Sequence, residues 1–246
     1  MGTITSKWIK TNALLGNQAI SRFIPLTLRL TKKNLSDMLA AYGMVYIKPE
    51  HGTHGNGVIR AELIKERNAS FQYQLDVNKK TFRNYDSFYQ SLRKLTKKKS
   101  YLVQRGIHLL KYNKRRFDIR VMVQLSPKGT WETTGIIGRV AHPEKIVTNY
   151  HSGGKLVPIE KLLAPYHSAR TQKAQIEQMS QLGVMIAKKL RQKQKSIHQI
   201  GVDVGLDQSM KPWIIEVNTS PDPYIFKQLA DLSIYRKIMR YRRLRG

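Results

Sequence analysis

The strongest constraint on the fold is the alternating run RFDIRVMVQLS, from Arg116 to Ser126. Successive side chains of a β-strand point to opposite faces, so a period of two predicts a strand. The apolar positions of one face are Phe117, Ile119, Val121, Val123 and Leu125, and the other face carries Asp118, Arg120, Met122 and Gln124. The first face is therefore expected to pack in a core, and Asp118 and Arg120 to leave the sheet in the same direction.

Helix and strand patterns interleave along the chain. Helices are predicted after Thr31, where Leu35, Met38, Leu39 and Tyr42 lie at helical spacing, at the stripe Tyr85, Phe88, Leu92 and Leu95, and from about Thr171 to Gln194. Strands are predicted for MVYIKP, GVIRAEL, SFQYQLDV, KKTFR, YLVQRGI, VDVGLD and PWIIEVN. This mixture predicts an α+β fold in which two sheet-and-helix halves join near Gln104 to Ile107.

Charge and cysteine content narrow the functional classes. The 246 residues include 44 Lys plus Arg and 16 Asp plus Glu, a formal net charge of +28. Such a field attracts polyanions, and nucleotide triphosphates, nucleic acid, anionic polymers and acidic protein surfaces all remain open. There is no cysteine, which excludes disulfides and thiolate metal sites and fits a reducing cytoplasm. No apolar run approaches the ~18 residues of a membrane span, so no membrane partner is expected.

A glycine-rich loop follows the first predicted hairpin strand. In IKPEHGTHGNG, Lys48 precedes Gly52, Gly55 and Gly57. Glycines let backbone N–H groups approach phosphate oxygens, and a neighbouring lysine adds a compact positive charge. The segment matches neither of the two commonest phosphate-binding motifs, G-x-x-x-x-G-K-[ST] and the strand-to-helix G-x-G-x-x-G. A phosphate clamp and a mobile hairpin loop are both consistent with it.

Acidic residues in the last two predicted strands suggest a metal site. Asp203 lies in GVDVGLD, and Glu216 and Asn218 share one face of WIIEVN by their period-two spacing. If the strands pair, Asp203 lies beside them. Two carboxylates and an amide oxygen are hard ligands suited to Mg²⁺ or Mn²⁺, while surface acids at strand ends are the alternative.

Taken in order, these segments resemble the ATP-grasp superfamily. The resemblance rests on IKPEHGTHGNG, VQRGI, FDIRVMV, TNYHSGG, and Asp203 followed by IIEVN. Within the superfamily, SKWIKTNALLGNQAISRFIPLT and IVTNYHSGGK look most like the YheC/YheD group, which is associated with the endospore coat. The resemblance implies an ATP-grasp fold in a single domain, 1–246, with approximate lobes 1–105 and 106–246 that clamp a nucleotide.

The resemblance also assigns roles to individual residues. It implies that Lys7 and Lys48 contact the nucleotide phosphates under a cover formed by the loop from Gly52 to Gly57. The segment Gln104, Arg105, Gly106 and Ile107 is expected to hold adenine, with Asn149 also in the nucleotide site. Arg120 is expected to contact the γ phosphate, and Asp203, Glu216 and Asn218 to bind Mg²⁺ or Mn²⁺.

The resemblance implies a ligase that activates a carboxylate with ATP to an acyl phosphate, from which an amine or thiol displaces phosphate. The acceptor would be an amino acid, a peptide or an anionic polymer. Ser152 stands where glutamate-ligase relatives carry an arginine, and only about 30 residues precede the first predicted helix, so we expect the substrate side to differ from theirs.

Two other functions remain open from the sequence. One is a spore-associated nucleotide-binding protein without turnover. The other is a nucleic-acid-binding protein that uses the basic tail from Arg236 to Arg245, with Tyr235 and Tyr241 stacking on bases.

Overall fold

The structure, a computed structural model, describes residues 3–53, 55–65, 69–146, 148 and 153–244. Its helices are α1 Lys7–Leu15, α2 Gln18–Ser21, α3 Lys32–Tyr42, α4 Tyr85–Thr96, α5 Ile159–Leu163, α6 Ala169–Lys193, a 3₁₀-helix Tyr224–Gln228 and α7 Leu232–Arg243. Its strands are β1 Thr27–Arg29, β2 Met44–Pro49, β3 Ile59–Ile64, β4 Ser70–Leu75, β5 Asn78–Phe82, β6 Tyr101–Arg105, β7 Lys111–Tyr112, β8 Arg115–Leu125, β9 Trp131–Val140, β10 Lys155–Val157, β11 Gln199–Leu206 and β12 Pro212–Asn218.

The first sheet has the strand order β1-β6-β2-β3-β4-β5, with every neighbouring pair antiparallel. Helices α3 and α4 supply Leu35, Leu39, Phe88 and Leu92 to the core that covers it. The Thr31 side chain accepts a hydrogen bond from Asn34 N and caps α3, and Gly43 ends that helix. The helices and strands predicted for this half are confirmed, including the β2–β3 hairpin around the glycine loop.

The second sheet has the order β10-β9-β8-β11-β12, and β7 pairs with β8. The alternating run from Arg116 to Ser126 forms β8, which lies between β9 and β11. Its apolar face packs in a core with Met179, Ile186 and Leu190 of α6. The final strands β11 and β12 form the predicted antiparallel pair. The α+β fold is confirmed.

The opposite face of β8 is also covered. Met122 packs with Ile137, Phe226 and Ile238, which come from β9, the 3₁₀-helix and α7. The basic C-terminal helix α7 therefore packs an apolar side against the sheet.

Among the helices of the described residues, none is long and apolar enough to cross a membrane.

The N-terminal helices were missed by sequence patterns. The prediction that the first helix follows Thr31 is wrong, because α1 begins at Lys7, capped by the Ser6 side chain. Ala13, Leu14, Ile20 and Phe23 lie in the core of the second sheet, although they precede the first sheet in sequence. The chain thus begins on the second sheet, crosses to build the first and returns. The single domain with lobes 1–105 and 106–246 stays a prediction.

The backbone at Gly106, just after β6, packs too closely against Met44 to leave room for a side chain. A Cβ at Gly106 would lie 1.9 Å from Met44 Sδ and 2.8 Å from the Met44 carbonyl oxygen, a backbone atom that cannot turn aside. We expect Gly106→Ala to lower the free energy of unfolding by about 1–3 kcal/mol in urea titrations, as overpacking does. Gly16→Ala is the control, since nothing lies within 4 Å of a Cβ there. Equal stabilities of the two variants would contradict this packing.

Candidate functional site

A cleft between the two sheets is lined by half of the predicted site residues, namely Lys48, Gly55, Gln104, Arg105, Ile107, Asp203 and Glu216. It has room for about 100 Å³ of water-sized solvent, and its walls come from both halves of the chain. The first half of the chain lines it with Pro25, Tyr46, Lys48, Gly55, Val58, Gln104 and Arg105, and the second half with Ile107, Leu109, Asp118, Arg139, Ile146, Thr148, Asp203, Ile215 and Glu216.

Lys48 joins the two walls of the cleft. It lies on β2 and is 9% exposed, and its ammonium donates to Gln104 Oε1 at 2.6 Å and to the Ile215 carbonyl oxygen on β12 at 3.3 Å. Burial lowers the pKa of Lys48 to about 8, while Glu216 acts in the opposite direction. A partly desolvated cation with few protein partners is suited to an anionic ligand.

The glycine loop is tied to α1 by Lys7. The Lys7 ammonium donates to the Gly52 carbonyl oxygen at 2.9 Å and lies 3.6 Å from Glu216 Oε1. Gly52, Gly55 and Gly57 have φ angles of 143°, 75° and 74°, a region that residues with a Cβ rarely adopt. These three positions of the loop between β2 and β3 therefore favour glycine, and Lys7 lies beside the first of them.

The connecting segment after β6 is held by side chains as well as by its backbone. Gln104 Nε2 donates to Thr27 Oγ1 at 3.0 Å, which fixes its carbonyl toward Lys48. The Arg105 guanidinium lies over the rings of Tyr42 and Trp213, at 4.9 and 5.2 Å from their centroids. The Gly106 N–H donates to the Met44 carbonyl oxygen, so that donor is already used. Ile107 provides an apolar surface in the cleft.

The predicted carboxylates meet in this cleft. Asp203 and Glu216 are register partners on β11 and β12, so their side chains emerge next to each other on one face, and Asn218 is opposite Gly201. Asp203 Oδ1 accepts from Arg120 Nε at 2.5 Å, and its Oδ2 lies 2.8 Å from the nearer Arg139 nitrogen. Although burial opposes its charged form, these two arginines hold the pKa of Asp203 well below its usual value.

Arg139 is a site residue that the sequence analysis missed. It forms a bidentate pair with Asp118, at 2.8 and 2.6 Å, and also contacts Asp203. Arg139 is opposite Asp118 across β8–β9, and Arg120 is opposite Asp203 across β8–β11. The sequence feature that could have indicated Arg139 is that it is the one charged residue in the apolar run GIIGRV. The strand that carries it, β9, was not predicted from the sequence.

The donor set fits a hard divalent cation in its chemistry. Asp203 and Glu216 offer carboxylate oxygens in the same cleft as Lys48, and oxygen ligands of this kind suit Mg²⁺. Their present partners are cations, namely Arg120, Arg139 and Lys7. Within the described ranges, no cluster of three or more His, Cys, Asp or Glu residues could hold a metal ion, so ligands beyond the two acids would come from Asn218 or from the substrate.

One predicted nucleotide contact cannot be placed. Asn149, together with His151 and Ser152 of the same segment, lies outside the described residues.

A family model decides the relationship. The model described as YheC/D like ATP-grasp matches residues 2–243. The chain belongs to this family. The ATP-grasp resemblance found in the sequence is thereby confirmed, and with it the fold class.

Curated relatives of the chain are longer proteins. It is 26% identical over 232 residues to the endospore coat-associated protein YheD of Bacillus subtilis (strain 168), a match that covers 91% of this chain and 50% of YheD. It is 22% identical over 220 residues to the endospore coat-associated protein YheC of the same strain, covering 89% of this chain and 60% of YheC. The chain therefore spans between half and three-fifths of the length of these relatives.

Solved structures share the architecture at low sequence identity. D-cycloserine synthetase DcsG superposes with a TM-score of 0.59 and 11% identity, covering 98% of this chain and 70% of that protein. N5-carboxyaminoimidazole synthetase from Staphylococcus aureus, complexed with ADP, superposes with a TM-score of 0.53 and 8% identity, covering 96% of this chain and 50% of that one. At these identities the likeness shows the fold.

The lowered pKa of Lys48 has a measurable consequence for stability. Between the folded pKa of about 8 and the ordinary value of 10.5, the unfolded chain binds the proton more tightly, so the free energy of unfolding contributed by Lys48 rises with pH. Relative to Lys48→Met, wild type should gain about 2 kcal/mol between pH 8 and pH 10 in urea titrations.

Lys188→Met is the matched control for this titration, because Lys188 is exposed on α6. Its stability should follow that of wild type across the same pH range. Parallel curves for wild type and Lys48→Met would show that the folded protein does not depress the pKa of Lys48.

Proposed function

We propose that this chain binds MgATP in the cleft between its sheets and acts as a ligase of the carboxylate-amine type. The observation that carries the proposal is the convergence of the buried Lys48 ammonium, the glycine loop and the Asp203–Glu216 pair on one cleft of an ATP-grasp fold. The structural likeness to two synthetases, one of them complexed with ADP, supports the same class.

In this proposal the nucleotide lies with its adenine against the apolar side chains of Ile107 and Ile215. Lys48 then faces its phosphates below the glycine loop, and Lys7, whose ammonium donates to the Gly52 carbonyl oxygen of that loop, lies beside them. Asp203, Glu216 and Asn218 would hold Mg²⁺ or Mn²⁺, which neutralises phosphate charge when bound.

The proposed reaction has two displacements. A carboxylate oxygen attacks the γ-phosphorus, the bond to the β-phosphate oxygen breaks, and ADP and an acyl phosphate result. An amine then attacks the acyl carbon and inorganic phosphate leaves, while the amine loses a proton to solvent. Arg120 and Arg139 are close enough to the acids of the cleft to stabilise the transferring phosphoryl group, so the protein contributes mainly positioning and electrostatics.

A second candidate is a nucleotide-binding protein of the spore coat without turnover. The names of YheD and YheC favour association with the endospore coat, and the pairing of Asp203 with two arginines leaves neither of its oxygens without a cationic partner. Turnover by the protein with any carboxylate and amine would separate the two candidates in favour of the ligase.

Nucleic-acid binding through the C-terminal helix is less well supported. Tyr241, proposed to stack on bases, is 7% exposed, and its hydroxyl donates to Glu132 Oε2 at 3.0 Å. Tyr235 is half-buried and lies 6.4 Å from the ring of Tyr224. The expectation that Tyr241 stacks on a base is therefore wrong, although Arg236 and Arg240 of α7 remain exposed.

Calorimetric titration with MgATP tests the nucleotide site. Wild type and Lys188→Met should bind saturably, while Lys48→Met should bind at least tenfold more weakly, because it loses a charge-assisted hydrogen bond. Glu216→Gln should lose most of the difference between titrations with and without Mg²⁺. Absence of saturable heat in wild type, or unchanged affinity in Lys48→Met, would contradict the assignment.

A further inference from the structure

A second, smaller cavity lies behind the Lys48–Gln104 hydrogen bond. Both residues line it, together with Lys7, Lys10 and Thr11 of α1 and Glu216 of β12. It has room for about 40 Å³ of water-sized solvent. One water needs roughly 10–15 Å³ by such a measure, so the space has room for about three waters or one small oxyanion.

The charge of this cavity is unbalanced. Among the described residues, three lysines, Lys7, Lys10 and Lys48, line it with one acid, Glu216. Glu216 is paired with Lys7 at 3.6 Å, and Lys48 donates to two neutral oxygens. Positive charge is therefore in excess in a confined space, where screening by solvent is weak.

Lys10 is the residue whose position calls for a ligand. Its side chain is 6% exposed, yet in the described part of the chain no hydrogen-bond acceptor and no carboxylate within 4 Å partners its ammonium. Burial lowers the pKa of Lys10, and Glu216 raises it only in part. Lys10 therefore lines the cavity with no partner for its ammonium among the described protein residues, and an oxyanion in the cavity would supply one.

We propose that this cavity binds a small oxyanion, a phosphate or a carboxylate, with Lys10 as its principal contact. Lys7 and Lys10 reach the cavity from consecutive turns of α1, because residues three apart share a helix face. The site adjoins the nucleotide cleft: Lys10 and Thr11 line this cavity alone, whereas Lys48, Gln104 and Glu216 line both. It does not depend on the nucleotide proposal.

The test measures thermal unfolding at pH 7 and fixed ionic strength, with inorganic phosphate, acetate or chloride added. Wild type and Lys188→Met should show a saturable rise in Tm with phosphate, acetate or both, beyond the effect of chloride. The anion that saturates at the lower concentration identifies the source of the oxyanion. Lys10→Met and the polar variant Lys10→Gln should lose this rise, with affinity at least tenfold weaker.

Two further results distinguish loss of the oxyanion site from a general loss of folding stability. Without added anion, Lys10→Met should unfold at a Tm no lower than that of wild type, because the change removes a desolvated charge and keeps the chain length. Glu216→Gln should bind the oxyanion more tightly than wild type, because it removes the one acid that lines the cavity.

The proposal is overturned if wild type shows no saturable response to either oxyanion, or if Lys10→Met and Lys10→Gln respond as wild type does. A parallel MgATP titration distinguishes this site from the nucleotide site. Lys10→Met should bind MgATP within about threefold of wild type, and a loss of both ligands in Lys10→Met would assign the cavity to the nucleotide site. Phosphate binding with no MgATP binding in wild type would overturn the nucleotide proposal alone.

Discussion

One buried ammonium group, that of Lys48, connects the two sheets of this protein across their cleft. It donates to Gln104 in the first sheet and to the Ile215 carbonyl oxygen in the second. Removing a lysine from water disfavours its charge, and Gln104 and Ile215 supply only neutral acceptors. The cleft is therefore built around a cation that its own walls satisfy incompletely, and an anionic ligand would add the missing stabilisation.

The second sheet adds an ionic network to the opposite wall. Asp118, Arg139, Asp203 and Arg120 are paired across three adjacent strands, with each arginine opposite an acid in the strand register. Buried charges of this kind contribute little net stability but are costly to separate. Such a network orients its members closely, and in the proposed nucleotide complex Asp203 would hold the metal ion beside Arg120 and Arg139. The acids and arginines of this wall therefore pair with one another.

Much of this arrangement could be predicted from period and spacing. The alternation of β8 predicted that Asp118 and Arg120 share a face. The spacing of Glu216 and Asn218 predicted that these two share a face, and the pairing of β11 with β12 brings Glu216 next to Asp203. The elements that were missed lack such periods in isolation. Helix α1 is recognisable only once Ser6 caps it and its apolar side reaches the core of the second sheet, and the strand of Arg139 is interrupted by Gly135 and Gly138. Lys10 could be located on a helix face only after α1 was known, and its lack of a partner is a tertiary property.

The central claim is that MgATP binds between the sheets at Lys48 and the Asp203–Glu216 pair. A crystal structure of the protein with Mg²⁺ and a non-hydrolysable ATP analogue tests it most directly. We expect the adenine beside Ile107 and Ile215, a phosphate oxygen within hydrogen-bond distance of Lys48 Nζ, and the metal ion on Asp203 and Glu216. A nucleotide bound outside the cleft, or one inside it with Asp203 still paired to Arg120 and no metal on either acid, would contradict the account.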